Sequence, residues 1–315
     1  MPVNADQMLP VVRVAEIPSD ELTERWLVEQ LWCANSVGVI GGAPKCAKTW
    51  LDLALSVATG TPCLGKYAVP EPGPVLVYLA EDALRVVGER IEGMARHRGL
   101  EFDQVAIYAI TASALRLDHD RDRTRLWETA RWLRPKLLVL DPLVRLHGID
   151  ENHAGEVAEL LGYFRSLQRQ LGISVLLVHH TRKNAGDGAA AGKGLRGSGD
   201  IHAFGDSNLY LRRTEQHLIL SSEHRSAPAS APVYLELVAT NAETTHLEVI
   251  AALHDEKEDS LAERVLALLA RGRALTRTTL RDSLAVKNER LGEVLESLER
   301  AGQIGRTSAG WHRLC

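Results

Sequence analysis

The chain holds 315 residues, 45% of them apolar and 25% charged, proportions typical of globular proteins. No run of about 18 apolar residues occurs, which excludes a spanning helix, and the start MPVNADQMLP shows no basic region followed by an apolar one, so no secretory leader is expected. Four scattered cysteines without CxxC or zinc-ligand spacing argue against a disulfide framework or a structural metal, and a cytoplasmic protein is expected.

Strand-like apolar runs come first in chain order: SVGVI (36–40), VLVYLA (75–80), VAIYAI (105–110), LLVLD (137–141) and SVLLVHH (174–180). Continuous rather than alternating apolarity predicts strands covered on both faces. Helical patterns at 48–59, 82–98, 121–133 and 154–171 separate them, so the fold class is α/β with a mainly parallel twisted sheet. After residue 205 short strands with turn signals follow (SNLYLRR, HLILSSEHR, VYLELVA, HLEVIAAL), read as hairpins that extend the sheet.

The expected organisation is an N-terminal segment packing on the core (1–35), the core (36–253), a charged linker (254–259, within HDEKEDS) and a tail domain (260–315). The tail reads as three amphipathic helices and a two-stranded hairpin, a winged-helix-like pattern. Net charge is −4, but residues 260–315 hold ten Lys/Arg against six Asp/Glu, which leaves −8 on the rest. A basic tail on an acidic body suggests a polyanionic partner for the tail.

The sharpest motif is GGAPKCAKT (41–49), between a predicted strand and a predicted helix, the setting a P-loop requires. In such a loop backbone N–H groups and the helix N-terminus cradle phosphates, a Lys reaches the β/γ oxygens and a hydroxyl holds Mg²⁺. The ATP-binding residues are then Gly42, Ala43, Pro44, Lys45, Cys46, Ala47, Lys48 and Thr49, with the Lys and hydroxyl roles on Lys48 and Thr49. The pattern asks for Gly at position 47, where a Cβ crowds the phosphate unless the local dihedrals are helical; this chain has Ala47. Downstream, LLVLD ends in Asp141, a Walker B position, and VYLAED puts Glu81 where a carboxylate can polarise an attacking water. LLVHHT ends a strand in His179 and His180, either of which could report the γ-phosphate.

GGAPKCAKTWLDLALSVATG, GPVLVYLAED, LLVLDPLVRLHGIDEN, VLLVHHTRK and LRGSGD, in this order, resemble the motifs of the RecA-like hexameric ATPases and helicases of the plasmid RepA type, near the DnaB-type replicative helicases. The resemblance runs from about Trp26 to about Ile250. It implies a RecA-like P-loop NTPase core, ATP and Mg²⁺ as cofactors, and a homo-oligomer, as a hexamer, with ATP between subunits. It implies Lys48 and Thr49 for phosphate and Mg²⁺, Asp141 for the metal's outer sphere, Glu81 as water-activating base and His179 or His180 as sensor. A neighbour's arginine finger is also implied, yet Asp206 stands where one is expected. SSEHRSAP (221–228) resembles the strand-end finger element of DnaB-like proteins, which points to Arg225, with Arg212 and Arg213 as alternatives.

RKNAGDGAAAGKGLRGSGD (182–200) is long, basic and without periodicity. The resemblance puts it in a central channel, with Arg182, Lys183, Lys193 and Arg196 gripping single-stranded DNA through phosphates. In the tail, Lys287, Asn288 and Arg290 at the start of the third helix and Arg306 on the hairpin are candidate duplex contacts. Glu289, Glu293, Glu296 and Glu299 on that helix repel phosphate, so DNA contact is only slightly ahead of a protein target. The expected function is a Mg-ATP-driven ring motor on single-stranded DNA. The alternatives are a non-unwinding regulatory ATPase of the same fold and a P-loop small-molecule kinase.

Overall fold

The computed structural model describes residues 11–16, 26–42, 49–150, 153–180, 199–214, 217–239, 245–250, 256–270, 272, 274–284, 286, 288–307 and 309–314. The chain divides into two compact units, residues 1–250 and 251–315.

The first unit opens with an antiparallel pair, β1 (Trp26–Val28) and β2 (Trp32–Cys33). Then come β3 (Val37–Gly42), α1 (Thr49–Thr59), β4 (Val75–Leu79), α2 (Leu84–His97), β5 (Ile107–Ala109), α3 (Asp120–Leu133), β6 (Leu137–Asp141), α4 (Ala154–Leu171) and β7 (Ser174–His180). The unit closes with α5 (Gly199–Phe204), β8 (Ser207–Arg213), β9 (Leu218–His224), β10 (Val233–Ala239) and β11 (Thr245–Ile250). One nine-stranded sheet collects β3 to β11 in the order β11-β10-β9-β8-β3-β7-β6-β4-β5. From β8 to β5 neighbouring strands run parallel; from β8 to β11 they run antiparallel. The α/β class with a mainly parallel sheet is therefore what the chain adopts.

Side chains alternate across a strand, so a strand apolar at every position must be covered twice. Val75, Val77, Leu137, Val139, Leu176 and Val178 face one buried cluster with α1 and α2. Leu76, Tyr78, Leu138, Leu140, Val175 and Leu177 face the other, with Leu126 of α3 and Phe164 of α4. The antiparallel extension joins the first cluster through Leu218, Leu220, Leu235 and Leu247, and α2 packs against β11.

Between β3 and β8 the parallel ladder starts only at Ile40 and Leu209. Lower down, side chains substitute for it: Val37 N–H donates to Asp206 Oδ2 at 3.1 Å and Val39 N–H to Asn208 Oδ1 at 3.1 Å. The approach is so close that a Cβ on Gly38 would lie 1.6 Å from the Ser207 carbonyl oxygen. Only a glycine fits there.

The second unit holds α6 (Glu256–Leu269), α7 (Arg277–Leu284), α8 (Asn288–Arg300) and the hairpin β12 (Ile304–Thr307) with β13 (Gly310–Arg313). Leu275 bridges Trp311, adding a third short strand pairing. Leu291, Val294, Leu295 and Leu298, spaced three and four apart on α8, pack with Leu261, Val265, Leu280, Ile304 and Trp311. The expected linker at 254–259 differs from this: α6 starts at Glu256. Glu and Lys are good helix formers and acidic residues suit a helix N-terminus, so the lack of apolar content does not stop the helix. Among the described residues no helix is long and apolar enough to cross a membrane.

Candidate functional site

Strand register assembles the site. In the β3–β7 ladder Gly41 pairs with His179 and Gly42 with His180. Leu140 of β6 pairs with Leu177 of β7, and Leu79 of β4 with Asp141 of β6. The carboxyl ends of β3, β7, β6 and β4 thus stand side by side, carrying Gly42, His180, Asp141 and, two residues past β4, Glu81. In open α/β sheets this edge is where ligands bind. Ala43, Pro44, Lys45, Cys46, Ala47 and Lys48 lie outside the described residues; Thr49 is the first residue of α1.

Asp141 is 6% exposed, and its Oδ2 accepts the indole N–H of Trp50 at 2.9 Å. Trp50 follows Thr49 directly, so the strand-end carboxylate is fixed against the first turn of the helix that the phosphate loop opens. A buried carboxylate beside that turn has the chemistry for the outer sphere of a Mg²⁺. The main-chain oxygen of Asp141 accepts Ala80 N–H at 2.8 Å, which ties β6 to the segment leading to Glu81.

Glu81 differs from expectation in its surroundings. A carboxylate available to a water is expected; instead Arg145 Nε donates to Glu81 Oε1 at 2.6 Å, both residues being exposed. The cause is local: after β6 the chain makes a 3₁₀ turn, Leu143–Arg145, that brings Arg145 back to the end of β4. His179 is buried at the end of β7, and His180 is the last residue of that strand.

Arg225 is expected as a projecting strand-end finger, but it is engaged within its own chain. Its Nη2 donates to the carbonyls of Ala203 at 2.7 Å and Phe204 at 3.2 Å, and its Nε lies 3.5 Å from Asp206 Oδ1. Arg165 grips the same carboxylate with both terminal guanidinium nitrogens, Nη1 on Oδ2 and Nη2 at 3.1 Å from Oδ1. Asp206, also bonded to β3, is therefore a hub that gathers α4 and the residue after β9, and its two arginine partners reach the carbonyls of α5. Because β9 runs antiparallel to β8, Arg225 lies at the amino end of the parallel strands. Arg212 and Arg213 are exposed at the carboxyl end of β8, next to the strand that enters the phosphate loop.

Arg182, Lys183, Lys193, Arg196 and Lys287 lie outside the described residues. In the second unit Asn288, Glu289 and Arg290 form the first turn of α8, whose exposed positions include Glu289, Glu293, Glu296 and Glu299. Arg306 on β12 lies over the Trp311 ring, 5.6 Å from its centroid.

Three contacts near the site carry no motif spacing: Trp50–Asp141, Arg145–Glu81 and an ion pair on α1. In the last, buried Asp52 pairs with Arg98 past the end of α2 and accepts Leu64 N–H at 2.6 Å. Arg98 also donates to Ser56 Oγ at 2.9 Å and Thr61 Oγ1 at 3.0 Å. Burial first, and the Asp52 carboxylate second, push the nearby Cys63 thiol well above its ordinary pKa, so it is not a reactive thiolate.

A family model described as an AAA domain matches residues 5–186, more than half of the chain. Among solved structures, one titled as the RadB recombinase aligns with a TM-score of 0.48 at 15% identity, over 69% of this chain and 92% of its own.

Proposed function

The chain belongs to the AAA domain family, and from that membership of a P-loop ATPase family we propose that it is an ATP-hydrolysing ring motor on single-stranded DNA, a RepA-like replicative helicase of a plasmid, phage or integrated element. The observation that supports this most is the register that sets Gly42, His180, Asp141 and Glu81 at the ends of four adjacent strands. Phosphoryl transfer needs such a set: a loop for the phosphates, a carboxylate for the metal, a second for the water and a group to report the γ-phosphate.

When bound, Mg²⁺ neutralises charge on the β- and γ-phosphate oxygens, and Thr49 with Asp141 would hold it. Trp50 keeps the Asp141 carboxylate oriented. Glu81 takes a proton from the attacking water once its pairing with Arg145 is given up. His179 and His180 pass the state of the γ-phosphate along β7 to residues 182–200, where Arg182, Lys183, Lys193 and Arg196 hold DNA. Subunits assemble as a hexamer with ATP at the interfaces. For the finger we favour Arg212 or Arg213 at the carboxyl end of β8, with Arg225 serving its own chain through Asp206. The glutamates along α8 favour a protein over duplex DNA as the partner of the winged-helix-like tail.

ATP turnover with and without single-stranded DNA, against Lys48→Ala as background, tests the proposal. A rise of roughly tenfold or more with DNA is expected, with Lys48→Ala at background. The Glu81–Arg145 pair gives specific support to a second reading, a regulatory ATPase that does not unwind. Turnover indifferent to DNA, together with no strand displacement, would favour that reading over the first.

A further inference from the structure

On β11, His246 and Glu248 are two residues apart, which puts both side chains on one face of the strand. They already share a contact: His246 Nε2 lies 2.8 Å from Glu248 Oε1. His97, in the last turn of α2, stacks on His246 with ring centroids 3.8 Å apart and planes inclined by 26°. One donor atom from each of the three residues lies within 4.8 Å of the other two. His97 is far from the other two in sequence, and it meets them because α2 packs against β11.

The charge around this trio calls for a cation. Glu236 of β10 lies directly opposite Glu248 in the β10–β11 ladder, and both are exposed. Carboxylates directly opposite each other on one face repel, and a sheet normally puts an opposite charge or an apolar pair there. The His246–Glu248 contact offsets only part of that repulsion. A divalent ion held by Nε2 and Oε1 offsets more.

The geometry points to a transition-metal site, of the zinc class, formed by His97, His246 and Glu248, with an open position for water. It is separate from the Mg²⁺ of the ATPase reading and does not rest on that reading. Two imidazoles and one carboxylate form a donor set suited to Zn²⁺, with bonds of about 2.0–2.2 Å and donors about 3.3 Å apart. Against the 4.8 Å spread, that asks for a tilt of the exposed His97 ring and a small closing of the set. His246, 8% exposed on its strand, and Glu248 are already at bite distance. Bound metal would join the C-terminal turn of α2 to the edge strand of the sheet, so it would stabilise the antiparallel extension against α2.

The test uses the full chain without an affinity tag, stripped by chelator and titrated with Zn²⁺ by calorimetry. Co²⁺ absorption reports the coordination geometry. The expected result is one equivalent bound with Kd of about 1 µM or tighter, tetrahedral Co²⁺ bands and a raised melting temperature. His97→Ala and Glu248→Gln, both at exposed positions and so expected to fold, should each weaken binding by roughly 10–100-fold and remove the rise in melting temperature. No binding at about 100 µM Zn²⁺, or binding that both variants leave unchanged, would overturn the assignment; the second result would show that other histidines or cysteines hold the ion.

Discussion

Trp50 and Asp141, 91 positions apart, are joined by a buried hydrogen bond in which the indole N–H donates to the carboxylate at 2.9 Å. The bond crosses from the helix behind the phosphate loop to the strand that ends in the candidate metal-linked carboxylate. Trp50→Phe keeps an aromatic ring, though a smaller one, and removes the donor, taking one hydrogen bond from a buried carboxylate at a cost of about 1–3 kcal/mol. Turnover is expected to fall about tenfold while nucleotide binding changes little. Steady-state hydrolysis and fluorescent-nucleotide titration would check this, and unchanged turnover would remove Trp50 from the site.

The Arg145–Glu81 pair is exposed, so it is worth about 0–1 kcal/mol in stability and its importance must be kinetic. Glu81→Gln is expected to lower turnover about 100-fold or more with ATP still bound. Arg145→Ala is expected to raise turnover in the absence of DNA and shrink the DNA stimulation, with no change in melting temperature. Equal loss with and without DNA in Arg145→Ala would mean that the arginine positions Glu81 rather than restraining it.

Asp52 and Arg98 form a buried pair with further partners in Leu64, Ser56 and Thr61. Arg98→Ala leaves the Asp52 charge without its cation, and the expected cost is about 3–5 kcal/mol in urea unfolding. A loss under about 1 kcal/mol would show that water replaces the guanidinium at no great cost.

His224 gives a pH dependence. Its Nε2–H donates to the Gln30 carbonyl at 3.2 Å, and Nδ1 lies 3.1 Å from Ser207 Oγ, which in turn accepts Cys33 N–H at 3.0 Å. Burial lowers the imidazole pKa below its ordinary 6.5, with the Gln30 carbonyl opposing in part. A lowered folded pKa means that the unfolded chain takes up protons first as pH falls. This contribution is complete above about pH 6.5 and declines as pH drops below it. Urea midpoints from pH 8 to pH 5 should show that decline, and His224→Gln should flatten it.

The parallel half of the sheet was legible because its strands are apolar at successive positions, Leu137 to Leu140 above all, and the two clusters they face are both closed. Helix positions followed from periodicity with small end corrections. β1 and β2 were not legible: three and two residues are too short to carry a period. α5 was hidden at the end of a Gly-rich run, where propensity argues against a helix. The phosphate-loop, Walker B, Glu81 and His segments could be picked out as strand-end motifs, and register then shows how those strand ends adjoin. What each side chain touches was not legible. Arg225 reads as a projecting strand-end arginine until Asp206 and the carbonyls of α5 are found around it. Arg145 carries no spacing signal at all, since its meeting with Glu81 depends on a turn geometry that many sequences can make.

α1 is held on two sides within its first turn. Trp50 ties it to β6, and Asp52 ties it to Arg98 and to the backbone at Leu64. β3, on the other side of the phosphate loop, is locked by ladders to both β7 and β8. The two elements that flank residues 43–48 are therefore two posts, each fixed by protein contacts alone. A mutation that loosens either post would be felt as weaker grip on phosphate, even though the residue changed is out of reach of the nucleotide.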